Sequence, residues 1–315
     1  MLVGVVRALA VAGGFDRAET LARTITGRKR RPDVLGGVVR ALAAAGEFDR
    51  AETLARAVTN SGSRSDVLVG VARALAAAGE LERATNLFTE AETLARTLTS
   101  SSQQCNALVG VAQALAAAGE SERATNLFTE AETLARTLTS SSQQSSLLSR
   151  IARALAAASE FDRAETVARS LTSPDRQCDV LVGVAQALAA AGESERATNL
   201  FTEAETLART LTGSSQQCSL LSRIAQALAS AGEFDRAETL ACAITISIHR
   251  CNAFNGIARV LAEVTKHRAS GTGCGKGRLA RLFAQILRSS SWYELSYVGM
   301  GWEPAVLRMV VKEVR

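Results

Sequence analysis

The sequence predicts an all-α fold: a right-handed α-solenoid of about seven and a half antiparallel helix pairs, closed by a C-terminal helical cap. Three observations predict it. The segment ATNLFTEAETLARTLTSSSQQ runs from Ala84 to Gln104, recurs unchanged from Ala124 to Gln144, and returns from Ala197 to Gln217 with Gly213 in place of one serine. Phrases of the type LVGVAQALAAAG open at Leu2, Leu35, Leu68, Leu108, Leu148, Leu181, Leu221 and Phe254, with spacings of 33, 33, 40, 40, 33, 40 and 33 residues. A recurrence of this period marks stacked supersecondary units. The third observation is composition. Apolar residues make up 47% of the chain, much of it alanine, and aromatics only 4%. That suits thin layers of closely packed helices rather than one thick core, which would in any case stop growing at about 250–300 residues.

Each unit reads as two helices, A and B. In the second unit Leu35, Val38, Val39 and Leu42 fall at i, i+3, i+4 and i+7, one helical face. Gly46 then breaks the helix, and Ala51, Leu54, Ala55 and Val58 repeat the pattern in helix B. Asp33, Asp66, Asn106, Ser146, Asp179, Ser219 and Asn252 precede the successive apolar stripes and are expected as N-caps of the A helices. Glu52 and Arg56 are spaced for an i,i+4 ion pair in the favoured orientation.

Two unit lengths occur, and they differ by seven residues, close to the 7.2 of two helical turns. In the long third unit Ala84, Leu87, Phe88, Ala91, Leu94, Ala95 and Leu98 continue the 3-4 spacing without a slip. The insertion therefore lengthens helix B by roughly 10 Å and keeps its apolar stripe on one side. Helix B should be two turns longer in the third, fourth and sixth units.

A segment that packs on its own kind can be duplicated without redesign of a core. Residues 108–147 and 181–220 differ only at Ser140, which becomes Gly213, and Ser145, which becomes Cys218.

The phrases AAAGEFDRAETLAR and AAAGESERATNLFTEA resemble tetratricopeptide repeats. That family places a glycine between its helices, an acidic residue next, and a small–aromatic–small trio in helix B. Gly79, Glu80, Ala84, Phe88 and Ala91 match, as do Gly119, Glu120, Ala124, Phe128 and Ala131, and Gly192, Glu193, Ala197, Phe201 and Ala204. The short units keep the first small residue as Ala18, Ala51, Ala164 and Ala237 and replace the aromatic by alanine. Helix A carries leucine and valine where the family has aromatics, the closing proline is mostly missing, and Ser159 replaces the interhelical glycine of the fifth unit. The resemblance covers residues 1–264, expected as one repeat array, and 265–315 are expected as a separate cap. It carries no catalytic residues.

The resemblance implies binding of an extended peptide or partner helix on a concave face lined by helix A. Five positions after each opening residue the chain reads Arg7, Arg40, Arg73, Gln113, Arg153, Gln186, Gln226 and Arg259. This column is the candidate partner-binding site, suited to an acidic or amide-rich segment. The bland alternative is that Arg and Gln are good helix formers on a solvated face. Two positions after the opening residue stand Gly4, Gly37, Gly70, Gly110, Arg150, Gly183, Arg223 and Gly256. Mid-helix glycine costs roughly 1 kcal/mol against alanine, so close approach by a neighbouring helix or a ligand backbone is expected there.

The net charge of +5 is unevenly spread. Residues 265–315 hold nine Lys or Arg against three acids, +6, which leaves −1 for residues 1–264. Leu279, Leu282, Phe283, Ile286 and Leu287 mark one amphipathic helix in this tail, and Pro304 opens a second with Val306, Leu307, Val310, Val311 and Val314 as its stripe. Its aromatics, Trp292, Tyr293, Tyr297 and Trp302, fit a cap over the last repeat better than a basic docking site for nucleic acid or an acidic partner. At the other end Leu2, Val5, Val6 and Leu9 are expected to face water unless covered. A homodimer through the first unit is the economical cover.

Several readings are disfavoured. SGTGCGKGR, Ser270–Arg278, has three residues where a phosphate-binding P-loop needs four, and Gly277 where it needs a hydroxyl. GRKRRP, Gly27–Pro32, is a basic run that reads as a solvated loop. The six cysteines form no CxxC pair, and Cys105, Cys178 and Cys218 sit at equivalent repeat positions. No metal, cofactor or disulfide framework is therefore expected, and the default is the reducing cytoplasm. No run reaches the length of a membrane span. MLVGVVRALAVAGG lacks the basic start of a signal peptide and fits the repeat register.

Three function classes remain. The first is a non-enzymatic protein- or peptide-binding scaffold. The second is the ligand-sensing arm of a larger NTPase-type regulator. The third is an RNA-binding helical repeat, which the near-identity of the units disfavours because a base code needs variation. No nucleophile–base constellation supports an enzyme.

Overall fold

Successive apolar stripes four and three residues apart give successive helices, and glycines with positive φ join them. The computed structural model describes residues 8–9, 12–24 and 31–267. Among the described residues there are fourteen α-helices and no strand. B helices are α1 (Phe15–Thr24), α3 (Phe48–Arg56), α5 (Leu81–Arg96), α7 (Ser121–Arg136), α9 (Phe161–Arg169), α11 (Ser194–Thr210) and α13 (Phe234–Ala243). A helices are α2 (Arg31–Ala44), α4 (Ser61–Ala77), α6 (Ser101–Ala117), α8 (Ser141–Ala157), α10 (Pro174–Ala190), α12 (Ser214–Ser230) and α14 (Ser247–His267).

The chain divides into two compact units, Met1–Glu160 and Phe161–Arg315. In the first, α2, α4, α6 and α8 pack each on the next, and each A helix of the second to fourth repeats packs on its own B helix. In the second unit α10, α12 and α14 stack in the same manner, with α11 on α10 and α13 on α12. Each unit is thus a stack of tetratricopeptide-like antiparallel helix pairs.

The heptad insertion does what its register demands. α5, α7 and α11 have 16, 16 and 17 residues, against 9 or 10 for α1, α3, α9 and α13. The aromatic of each small–aromatic–small trio, Phe88, Phe128 and Phe201, is fully buried, with its alanine neighbours buried beside it. Such burial stabilises by roughly 1.5–3 kcal/mol per large side chain. In the short helices Ala22, Ala55, Ala168 and Ala241 hold the aromatic position, also fully buried.

The N-cap expectation is corrected. From α4 onward the A helices begin five residues before the positions proposed, and Asp33 is already the third described residue of α2. Asp66 is the sixth residue of α4, and Asn60 is its cap, accepting from the Ser63 amide. Ser140 caps α8 in the same way, and Ser100, Ser173 and Gly213 hold the cap positions of α6, α10 and α12. The physical reason is that the first turn of each A helix is polar, so the apolar stripe starts well after the helix does.

Three similar slots tie each pair together. Ser65 Oγ donates to the Ala91 carbonyl at 3.0 Å; Cys105 and Cys178 make the same bond to Ala131 and Ala204 at 3.4 Å. The repeated cysteines are therefore packing residues. Burial pushes the Cys105 thiol up to about 11 and that of Cys178 up to about 12.

Successive B helices are laced by charge. Arg83 reaches back to Asp49 at 2.6 Å and Glu52 at 2.7 Å. Arg56 bonds Glu52 of its own helix at 3.2 Å, the pair expected from sequence, and Glu90 of the next at 3.1 Å. Arg96 repeats this with Glu92 and Glu130, Arg169 with Glu165 and Glu203, and Arg196 with Asp162 and Glu165. The hydrogen bond from Arg96 to Glu130 leads in holding that guanidinium above its ordinary pKa. Thr85, Thr125 and Thr198 donate to Glu120, Glu160 and Glu233, the acid after the interhelical turn.

The helices expected in the C-terminal tail, the segment Ser270–Arg278, most of GRKRRP, and Leu2, Val5, Val6 and Arg7 lie outside the described residues. No described helix is long and apolar enough to cross a membrane.

Candidate binding face of the A helices

Because the A helices start early, the supposed caps join the candidate site. Asp66, Gly70 and Arg73 follow one another at four and three residues along α4, so they share one face. The same face carries Asn106, Gly110 and Gln113 on α6, and Ser146, Arg150 and Arg153 on α8. In the second unit the corresponding helix positions hold Asp179, Gly183 and Gln186 on α10, Ser219, Arg223 and Gln226 on α12, and Asn252, Gly256 and Arg259 on α14. The polar residues two positions before each opening residue mimic N-caps in the sequence, so spacing alone does not assign them to this face. The serine runs ahead of them, which could have supplied the caps instead, were the available signal.

The predicted column is placed as follows. Arg40, Arg73, Arg153, Gln186 and Arg259 are exposed, Gln113 and Gln226 are half-buried, and Arg7 is not among the described residues. None of the four described arginines forms an ion pair with a described residue. This contrasts with the B helices, whose arginines are so often shared between two carboxylates.

Charges on this face still interact across repeats. Arg150 donates to Asn106, and Arg223 is ion-paired with Asp179, so an arginine in the glycine column latches onto the preceding A helix. Asp66 is exposed, and partial desolvation pushes its carboxyl above the ordinary range, opposed by Arg150 and Arg40.

The glycine column does not show one common close approach. A Cβ at Gly110 would meet nothing within 4 Å, and one at Gly70 would make an ordinary 3.8 Å contact with Arg40 Cγ. At Gly256 the contact is severe, with Gln226 Cγ at 2.3 Å. The approaching group there is a side chain of the neighbouring A helix, not its backbone. Gln226 is held in place by donating to the Asn252 carbonyl at 3.1 Å.

Gln226 and Arg259 are brought together in a cleft of about 270 Å³ between α12 and α14, with Arg223, Ser222, His249 and Asn252 also on its wall. Among the described residues no group of three or more His, Cys, Asp or Glu could hold a metal ion.

No family model matches the chain, and no curated protein matches it. Among solved structures it is similar to Ton1535 from Thermococcus onnurineus NA1, at 15% identity over 91% of this chain and 98% of that one, with a TM-score of 0.40. It is similar to a putative kinesin light chain with nearly identical TPR-like repeats from Podosopora anserina, at 17% identity over 58% and 97%, TM-score 0.38. It is also similar to a signal transduction ATPase with a tetratricopeptide repeat sensor from Pyrococcus horikoshii, at 14% identity over 99% and 53%, TM-score 0.33. The repeating unit of the present chain is tetratricopeptide-like: an antiparallel helix pair turned by a positive-φ glycine, with a buried small–aromatic–small trio in each long B helix.

Proposed function

We propose that this chain is a non-enzymatic repeat scaffold that binds an acidic or amide-rich protein or peptide segment along the A-helix face. The observation that carries the reading is the contrast between the two faces. Most described B-helix arginines are tied into ion pairs with B-helix carboxylates, whereas Arg40, Arg73 and Arg153 stand exposed on α2, α4 and α8 with no ion-pair partner among the described residues. A cation already shared by two carboxylates has little left to offer a partner. An unpaired one does, and guanidinium suits carboxylate and amide oxygens through its planar donor fork. Single exposed pairs contribute only ~0–1 kcal/mol, so recognition needs several repeats at once.

A glutamate-rich peptide carrying a photoreactive group tests the location. Cross-links should map to α2, α4, α6 and α8 on the face that holds Arg40, Arg73 and Arg153. Cross-links confined to the B helices would contradict the reading.

A further inference from the structure

The cleft between α12 and α14 departs from the regularity of the array. Near-identical repeats should present near-identical surfaces, yet α14 does not follow the pattern where it lines the cleft. His249 stands where Ser63, Gln103, Gln143, Arg176 and Gln216 stand in α4, α6, α8, α10 and α12, and Asn255 stands where Val69, Val109, Ser149, Val182 and Ser222 stand, so α14 alone places an imidazole at the first position and an amide at the second. Both replacements turn toward the same cleft. Their neighbours there are Arg259 on α14 and Ser219, Ser222 and Arg223 on α12. Among the described residues no Asp or Glu lines the cleft.

Two features make this a shaped site rather than a polar surface. Gln226 lies across Gly256, where a Cβ would collide with it, and bonds the Asn252 carbonyl, so the floor is fixed. Arg223 is ion-paired with Asp179, which anchors that guanidinium and offsets its charge, while Arg259 has no ion-pair partner among the described residues. His249 sits 3.4 Å from Ser215 Oγ through Nε2.

We propose that this cleft binds a phosphomonoester dianion, with Arg259 as the principal cationic contact. The proposal rests on the A-helix face being the binding face, and names a ligand chemistry for one part of it. A carboxylate has two oxygens and is satisfied by one guanidinium fork. Here the Arg259 guanidinium and Asn252 amide of one helix and the Ser219 hydroxyl of the other line the same cleft, more donors than a carboxylate needs. A phosphomonoester presents three terminal oxygens and up to two charges, and Arg pairs with it bidentately. The source is either a phosphorylated side chain in a peptide or a small free phosphate.

The test is a titration followed by two-dimensional NMR of the full chain. The probes are O-phosphoserine, inorganic phosphate, succinate, and a seven-residue alanine-flanked phosphoserine peptide with its unphosphorylated twin. The expected result is saturable shifts of the Gln226, Asn252 and Asn255 side-chain amides with the phosphate probes. Succinate and the unphosphorylated peptide should leave them unmoved. Arg259→Ala should weaken the response at least tenfold, and Arg259→Lys should restore part of it. Arg259 is exposed, so both variants should keep the fold, which an unchanged backbone spectrum checks. Tighter binding of the phosphopeptide than of inorganic phosphate identifies a protein-borne phosphate; the reverse identifies a free one. No saturable shift, an equal response to succinate, or full binding by Arg259→Ala would overturn the proposal. Alanine substitutions at Arg40, Arg73 and Arg153, which lie in the other unit, should weaken peptide binding on that face and leave this response intact, so the two readings fail separately.

Discussion

The side chain of Gln226 occupies the space in which any residue but glycine at position 256 would place its Cβ, 2.3 Å from Gln226 Cγ. A side chain at this point of an otherwise helix-favouring stretch would therefore displace Gln226. Thirty residues separate the two, the offset that also sets Arg40 against Gly70.

Gly256→Ala and Gly110→Ala should consequently differ in sign. At Gly110 the space is open, so alanine should stabilise α6 by about 0.5–1 kcal/mol through helix propensity. At Gly256 alanine should expel Gln226 and break its bond to Asn252, lowering stability by about 1 kcal/mol. Urea denaturation of the two variants measures both.

Ser159→Gly should stabilise the chain by about 1 kcal/mol. Ser159 has φ of 63° at the turn after α8, where Gly79, Gly119, Gly192 and Gly232 have φ of 86–88°. A side chain in the left-handed region costs roughly 1–2 kcal/mol, partly offset by the greater freedom of glycine in the unfolded chain. Thermal unfolding that shows no gain would mean the turn tolerates the serine without strain.

Alkaline pH should destabilise the fold through Cys105 and Cys178. Both thiols are pushed above their ordinary value of 9.0, to about 11 and about 12. The unfolded chain therefore releases these protons first as pH rises. The contribution is complete below about pH 9 and is lost between about pH 9 and 12. Ser65 makes the equivalent bond with a hydroxyl, so Cys105→Ser together with Cys178→Ser should keep the fold and flatten that decline. Melting temperatures measured between pH 7 and 11 check it.

The B-helix ladder should be worth little pair by pair. A double-mutant cycle on Arg96 and Glu130, which lie 2.8 Å apart with side chains 46% and 32% exposed, should give a coupling of about 0.3–1 kcal/mol. The coupling should shrink between low salt and 0.5 M salt, because exposed pairs are screened. A coupling above 2 kcal/mol, independent of salt, would contradict this.

The helix pairs, the long B helices and the buried Phe88, Phe128 and Phe201 were legible in the sequence, because apolar spacing reports burial directly. The starts of the A helices were not. Ser101, Ser102, Gln103 and Gln104 are helical but polar, so no stripe announces them, and Asn106 looked like a cap. The ladder was legible only within one helix, as Glu52 with Arg56. Its longer links, Arg56 to Glu90 or Arg96 to Glu130, depend on the stacking offset of 34 residues, which appears only once the repeats are packed. The candidate column was legible as a column. Its lack of ion pairs, and the meeting of Gln226 with Arg259 in one cleft, depend on side-chain placement that no spacing rule supplies.

The most direct test of the central claim compares the two faces against one probe. Fluorescence anisotropy with a labelled glutamate-rich peptide should be run on the unmodified chain, on Arg40→Ala/Arg73→Ala/Arg153→Ala, and on Arg56→Ala/Arg96→Ala/Arg136→Ala. The A-face triple variant should lose at least tenfold in affinity with helicity unchanged, and the B-face triple variant should bind as the unmodified chain does. Equal affinity of all three, or a loss confined to the B-face variant, would contradict the account.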